Sequence, residues 1–303
     1  MFCSPSGLQK KVYRALLESA AFQKCLYHGD MNAHLKAITV MRKICNSVSL
    51  TATKAEQVPL HSTSNLTLQE PNDPLYSSMK AVLPTNARHI PIKMDSGKLH
   101  VLNDFLHSIL PTGEKIVIVS NFTKTLDILQ SLLQSNSMTF SRLDGDTGPS
   151  KRQQIVDYFN RVDSKTSCIS SPHLPFGYIC EMLMTVAFLL SSKSGGCGLN
   201  LIGASRLVLY DVDWNPSTDL QAMARIHRDG QKRKTYIYRF LMYPSYFKVN
   251  CLMVSTGMMD EKIYQRQLTK QALADSFMVF MQDDVLMCRM VKDLVEIVSP
   301  WKN

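Results

Sequence analysis

The sequence lacks a complete phosphate-cradling loop. Such a loop reads G-x-x-x-x-G-K-[ST], because its glycine backbone surrounds the phosphates and its lysine reaches them. The nearest approach is Ser96-Gly97-Lys98, where Leu99 follows the lysine and Ile92 stands in place of the first glycine. A strand ending in adjacent acids that would hold magnesium is also missing; Asp211 and Asp213 come nearest, with Trp214 and Pro216 beside them. Asp260-Glu261 reads instead as an acidic pair at a helix N-terminus. These absences exclude a self-contained P-loop nucleotidase. None of the 8 cysteines forms a C-x-x-C, and Cys168, His173 and Cys180 lack a fourth ligand at suitable spacing for structural zinc. No metal site is expected. Met1 to Lys10 has neither the basic start nor the apolar core of a secretory leader, so free thiols in a reducing compartment are expected. The longest apolar run, Leu174 to Leu190, holds Pro175, Gly177 and Glu181 and falls short of the roughly 20 residues that span a bilayer. No membrane insertion is expected.

What is present is a chain of 303 residues, 45% hydrophobic, with a formal charge of +9 and a pI near 9.1. The length allows one large or two modest domains, and the basic balance favours polyanionic partners, nucleic acid first. Apolar residues at helical spacing predict amphipathic helices over Ser6 to Ser19 and His34 to Leu50. Thr51 to Pro91, rich in Ser, Thr, Asn and Pro, reads as a linker. From Lys115 onward the pattern alternates. Strands are predicted over Lys115–Ser120, Met138–Asp144, Thr185–Ser192, Arg206–Asp211 and Lys234–Leu241. Helices are predicted over Leu126–Leu133, Ser150–Asn160 and Asp219–His227. Strands that are apolar throughout and alternate with helices imply an α/β fold, a parallel sheet with helices on both faces. Ligands of such sheets sit beyond the carboxyl ends of the strands. The motifs at Asp144, Ser191 and Asp211 all fall there.

Two of those motifs suggest phosphate chemistry. Gly195, Gly196 and Gly198 form a turn after a strand, next to Ser191, Ser192 and Lys193; glycine lets backbone N–H groups approach a phosphate. The sharper signal is QAMARIHRDGQK, Gln221 to Lys232. On a helix, Arg225 and Arg228 would lie one turn apart and share a face. A guanidinium offers rigid donors to phosphate oxygens. Supplied to a nucleotide as an arginine finger, it raises phosphoryl-transfer rates roughly 10³- to 10⁵-fold, or about 4 to 7 kcal/mol. The bland alternative is a solvated basic helix face.

Several segments together resemble a known family. SGKLHVLNDFL, KIVIVSNFTKTLDIL, RLDGDT, SKRQQIVDYFN, LLSSKSGGCGLNLIGASRLVLYDVDWNP and QAMARIHRDGQK resemble the second RecA-like lobe of Swi/Snf-type DNA translocases, in helicase superfamily two. Within that group, the IYRF strand and MDEKIYQRQLTKQAL look most like the Rad-fifty-four recombination-repair branch, its B-type paralogue being the candidate. The resemblance runs from about Gly97 to Asp275. It implies ATP with magnesium held by a first lobe, with Arg225 and Arg228 as fingers and Gly196 and Gln221 near the nucleotide. Ser120, Asn121, Asp144, Gly145, Thr147, Ser192 and Lys193 match positions near the duplex backbone or the coupling between sites. It further implies double-stranded DNA as partner, a RecA-type recombinase through a full-length protein, a nuclear location and chromatin remodelling.

The expected organisation is a helical inter-lobe segment (1–50), a linker (51–96), a RecA-like helicase C-terminal lobe (97–285) and a tail (286–303). Surplus segments at about 161–181 and 243–254 interrupt the family's pattern, and His227 replaces the tryptophan usual in the Rad-fifty-four branch. With no first lobe in the sequence, the chain alone is expected to hydrolyse no ATP. Three functions stay open: a lobe of a translocase, a non-catalytic DNA- or partner-binding module derived from one, and an α/β scaffold that binds neither.

Overall fold

A computed structural model describes residues 1–51, 74–84, 90–145, 147–161, 186–193, 199–243 and 258–276. The chain divides into two compact units. One comprises Leu102–Phe240 with Met1; the other comprises Phe2–Val101 and residues from Leu241 onward.

The first unit is the α/β body. Its strands are Ile116–Ser120, Phe140–Leu143, Ala187–Ser191, Arg206–Leu209 and Tyr236–Arg239, numbered β2 to β6 because Phe2–Cys3 forms β1. They make one sheet in the order β3-β4-β2-β5-β6, with all four pairings parallel. Every residue of β2 and β4 is buried, as the continuous apolar runs required. Alternate side chains serve opposite faces. Val117, Val119, Phe188 and Leu190 pack into one cluster with Leu207, Leu209, Val156, Phe159 and Ala222. Ile116, Ile118, Leu189 and Val208 point the other way and are equally buried. Burying a side chain of this size stabilises by roughly 1.5–3 kcal/mol. Phe159 and Phe188 meet edge to face at 4.9 Å. Helices Thr123–Ser135 and Pro149–Asn160 flank the sheet where periodicity placed them, and Pro216–Met223 lies between β5 and β6. Chain connections leave β2 in one direction and β5 in the other, so their carboxyl ends form a topological switch point, the usual ligand crevice.

The second unit is mostly helical. Helices α1 (Gly7–Glu18), α2 (Ala20–His28) and α3 (Met31–Asn46) are followed by α4 (Pro74–Met79), α5 (Ile92–Asp95) and α10 (Met259–Ser276). Between them in sequence come α6 (Gly97–Ile109), which runs on into the first unit, then α7 (Thr123–Ser135), α8 (Pro149–Asn160) and α9 (Pro216–Met223). A capping box starts α1: Ser6 accepts from the Gln9 backbone while the Gln9 side chain accepts from the Ser6 backbone. Helix α2 was not expected. Ser19 ends α1 by donating its backbone N–H to Leu16 and starts α2 by accepting from Phe22, so one residue serves both caps. The stretch expected as a linker carries α4 and α5, because Leu75, Tyr76 and Met79 are buried; residues 52–73 lie outside the described residues. A two-residue strand, Leu241–Met242 (β7), pairs in parallel with β1. Both surplus segments lie almost wholly outside the described residues, as does the expected tail. Among the described residues, no helix is long and apolar enough to cross a membrane.

Candidate functional site

Three strand ends converge on one hydrogen-bonded network. The chain leaves β2 at Ser120, β4 at Ser191 and β5 at Leu209. The parallel register holds Ser120 opposite Ser191. Beyond it, the Ser192 N–H donates to the Ser120 carbonyl at 3.1 Å. The Ser192 hydroxyl donates to Asn121 Oδ1 at 2.5 Å. Two residues past β5, Asp211 turns both carboxylate oxygens to the same place. Oδ2 accepts from the Ser120 hydroxyl at 2.5 Å, and Oδ1 accepts from the Asn121 N–H at 2.8 Å. The Ser120 oxygen also accepts from the Phe122 N–H at 3.2 Å. Ser120 and Asp211 are buried, whereas Asn121 and Ser192 are half-buried. The network therefore presents an amide and a hydroxyl at the crevice on a buried base.

A second group forms at the end of β3. Asp144 closes a turn in which its backbone N–H donates to the Thr147 hydroxyl at 3.2 Å, and that hydroxyl lies 3.3 Å from Asp144 Oδ1. Arg142 holds the turn from below. Its Nε donates to Asp144 at 2.8 Å, and its Nη1 reaches Asp127 at 2.8 Å and Gln130 at 2.9 Å. Burial alone would lower the Arg142 guanidinium; the bonds and charges of Asp127 and Asp144 outweigh it and raise it above its ordinary value. Gly145 is exposed at the tip.

The arginine segment differs from expectation. Helix α9 ends at Met223, so Arg225 and Arg228 share no helix face. Tight turns take over: the Arg225 N–H donates to Ala222 and the Ile226 N–H to Met223, three residues back in each case. Gln231 fixes the end of the segment. Its Nε2 lies within hydrogen-bond distance of the carbonyls of Ile202, Ala204 and Ile226. Gly230 supplies the required left-handed turn at φ +96°. Arg225 is 8% exposed and Arg228 is exposed. Burial lowers the Arg225 guanidinium below its usual range. Gln221 and Lys193 are exposed, and Gly196 lies outside the described residues.

The structure thus gathers Ser120, Asn121 and Ser192 around Asp211, and sets Asp144 and Thr147 in a turn of their own. Sequence reasoning placed Asp211 at a ligand-binding strand end and set it aside as a near miss to a magnesium motif, without assigning it a role. Both its oxygens are engaged by Ser120 and Asn121, and no metal-holding group of acids, histidines and cysteines exists among the described residues.

The sequence matches the helicase conserved C-terminal domain over residues 97–173 and 184–230, the break overlapping the end of the first surplus segment. The chain carries a helicase C-terminal domain. It is 41% identical over 278 residues to the DNA repair and recombination protein RAD54B of Homo sapiens, covering 90% of this chain and 27% of that protein. It is 39% identical over 282 residues to RDH54, a DNA repair and recombination protein of Saccharomyces cerevisiae, covering 92% of this chain and 24% of that protein. The chain spans about a quarter of the length of these homologues. Two solved structures share its fold, that of the C-terminal RecA-like lobe of SNF2 ATPases. The C-terminal part of the Fun30 ATPase domain aligns at a TM-score of 0.57 and 22% identity, covering 97% of this chain and 96% of the other. The Sulfolobus solfataricus SWI2/SNF2 ATPase core, solved in complex with double-stranded DNA, aligns at 0.60 and 16%, covering 100% and 48%.

Proposed function

We propose that this chain works as the second lobe of an ATP-dependent double-stranded DNA translocase in homologous recombination and double-strand break repair. The observation that carries the reading is the homology to RAD54B and RDH54 over nine-tenths of the chain. In this reading Asn121 and Ser192 meet the duplex backbone from the sheet's carboxyl rim, and Ser120, buried beneath them, belongs to the coupling between sites. Asp144, Gly145, Thr147 and Lys193 contribute beside them. Phosphate contacts of this kind make binding salt-sensitive and indifferent to sequence.

Arg225 and Arg228 complete an ATP site whose phosphate loop and magnesium ligands belong to another lobe. The residues present fit a contribution to that site. A guanidinium as desolvated as Arg225 stays charged at neutral pH and acts more strongly on phosphate oxygens than a solvated one. The family resemblance assigns Gln221 and Gly196 to the same nucleotide. ATP with magnesium supplies the phosphoryl group when bound; this chain orients charge toward it. By this reading the protein works in the nucleus, and a RecA-type recombinase binds the longer protein.

The test uses the 303-residue chain with duplexes of unrelated sequence. The reading predicts binding that falls linearly on a log–log plot against salt, by about 0.9 per phosphate neutralised, with no ATP turnover. Robust ATP hydrolysis by the isolated chain contradicts the divided site. Absence of duplex binding at low salt contradicts the DNA assignment. Duplex binding without any contribution to ATP hydrolysis when a first lobe is supplied favours the alternative, a non-catalytic binding module.

A further inference from the structure

We propose that Asp211 is a positioning residue for the duplex-contacting turn, tying that turn to the segment that carries the arginines. The inference rests on the reading of Asn121 and Ser192 as DNA contacts and adds a residue that touches no ligand.

The geometry is that of a strut across the switch point. Asp211 lies just beyond β5 and is 3% exposed, yet its two carboxylate oxygens both serve the neighbouring strand end. One takes the Ser120 hydroxyl and the other the Asn121 N–H, at 2.5 and 2.8 Å. A charged acceptor strengthens such bonds. The residue they fix, Asn121, holds Ser192 through its side-chain oxygen, so a single carboxylate sets two loops from different strands.

The same short stretch leads to the arginines. The Asp213 N–H lies 3.4 Å from Asp219 Oδ1, and Asp213 Oδ1 accepts from the Asn215 N–H at 2.9 Å. Asn215 then caps α9 by accepting from Ser217 at 3.1 Å. From the duplex turn to the start of α9, the helix that precedes the arginines, the path therefore runs through Asp211 and then only a few residues of hydrogen-bonded chain. A shift of the turn is felt at Asp211, and through it at α9. Neither role needs Asp211 to contact DNA or nucleotide.

The test compares Asp211→Ala, Asp211→Asn, Asn121→Ala and the double variant Asp211→Ala/Asn121→Ala in the full 303-residue chain. Duplex affinity, thermal midpoint and amide exchange are measured for each. Asp211→Ala is expected to weaken duplex binding about tenfold, the scale of losing hydrogen bonds to a buried charged group. Asn121→Ala is expected to do the same, and the double variant to lose about tenfold rather than a hundredfold, because the two act through one network. Asp211→Asn keeps an oxygen for the Asn121 N–H and offers an amide to the Ser120 oxygen, so it restores binding to within about threefold. Exchange at the Asn121 amide accelerates in Asp211→Ala, while that at Val208 in the sheet interior does not.

Unchanged exchange at Asn121 overturns the inference whatever the DNA does. So do wild-type affinity in Asp211→Ala and a hundredfold loss in the double variant. Should Asp211→Ala fail to fold, Ser120→Ala removes the Oδ2 bond and the acceptor of the Phe122 N–H while leaving the Asn121 N–H bond to Asp211 in place; it is expected to weaken binding about threefold and speed exchange at Asn121, and no change in either overturns the inference. A chain that binds duplex normally and ignores Asp211→Ala defeats the inference alone. A duplex affinity indifferent to Asn121→Ala, with faster exchange in Asp211→Ala, defeats instead the reading of the turn as a DNA contact.

Discussion

Lys98 and Asp260 form an ion pair of 2.5 Å in which the side chains are 0% and 2% exposed, although 162 positions separate them in sequence. Lys98 also donates to Asn46 at 3.2 Å, and Asp260 accepts from the Met242 N–H at 3.2 Å. The pair thus joins α6, α10, the end of α3 and β7 inside one unit. Breaking one side of a buried pair leaves an uncompensated charge and costs about 3–5 kcal/mol. Lys98→Met is therefore expected to lower the unfolding free energy, measured by urea denaturation, by an amount on that scale. Lys98→Met/Asp260→Leu should recover part of the loss, but not all, because Asn46 and Met242 lose their partners. A single variant as stable as the wild type contradicts this role.

Asp95 offers a test by pH. It is 3% exposed and accepts from the Ser47 hydroxyl at 2.6 Å and the Ser49 N–H at 2.8 Å. Burial raises its carboxyl above the ordinary 3.8, and the hydrogen bonds only partly oppose it. The folded chain therefore holds this proton more tightly than the unfolded chain. Its contribution is fully present below about 3.8 and is lost as pH rises through the raised folded value. Asp95→Asn lacks the titration and can keep both bonds. The stability of Asp95→Asn minus that of the wild type, measured by urea denaturation, should rise with pH across this window. A flat or falling difference contradicts the assignment.

Two thiols should be inert in the folded chain. Cys3 and Cys45 are both 0% exposed. Burial pushes the Cys3 thiol up to about 11 and Cys45 higher still, with the Lys98 charge opposing in both. At pH 7.5 a thiol at about 11 carries roughly 300-fold less thiolate than an ordinary one, and the thiolate is the nucleophile. Among the three described cysteines, iodoacetamide should label half-buried Cys25 first and reach Cys3 and Cys45 only on unfolding. Mass mapping that finds Cys45 labelled as fast as Cys25 in the folded chain contradicts the packing.

The sheet was legible because its strands announce themselves. Apolar runs at 115–120, 185–192 and 206–211 leave no face for solvent, and each became a buried parallel strand. Ser120, Asn121 and Ser192 were singled out through their resemblance to family motifs, and the structure brings them into one hydrogen-bonded network with Asp211. The arginine segment was misread as helix because spacing alone cannot register a helix that stops at Met223 and continues as turns held by the distant carbonyls of Ile202 and Ala204. Lys98 drew notice only as part of an incomplete phosphate loop. Its true partner, Asp260, lies where sequence offers no pairing signal, since both sides of a buried ion pair look like surface residues until the chain folds. Asp211 was noted at a strand end and as a near miss to a magnesium motif; only the structure shows that its two oxygens hold Ser120 and Asn121.

The central claim is that the arginines act on a triphosphate held by another lobe. Its most direct test fuses this chain behind the first ATPase lobe of a RAD54B homologue and measures duplex-stimulated ATP turnover in Arg225→Ala and Arg228→Ala. The account predicts a fall in kcat on the scale of an arginine finger, roughly 10³-fold or more, with duplex affinity changed little. Turnover within about twofold of the unsubstituted fusion, in a protein that hydrolyses ATP only with duplex present, would contradict it.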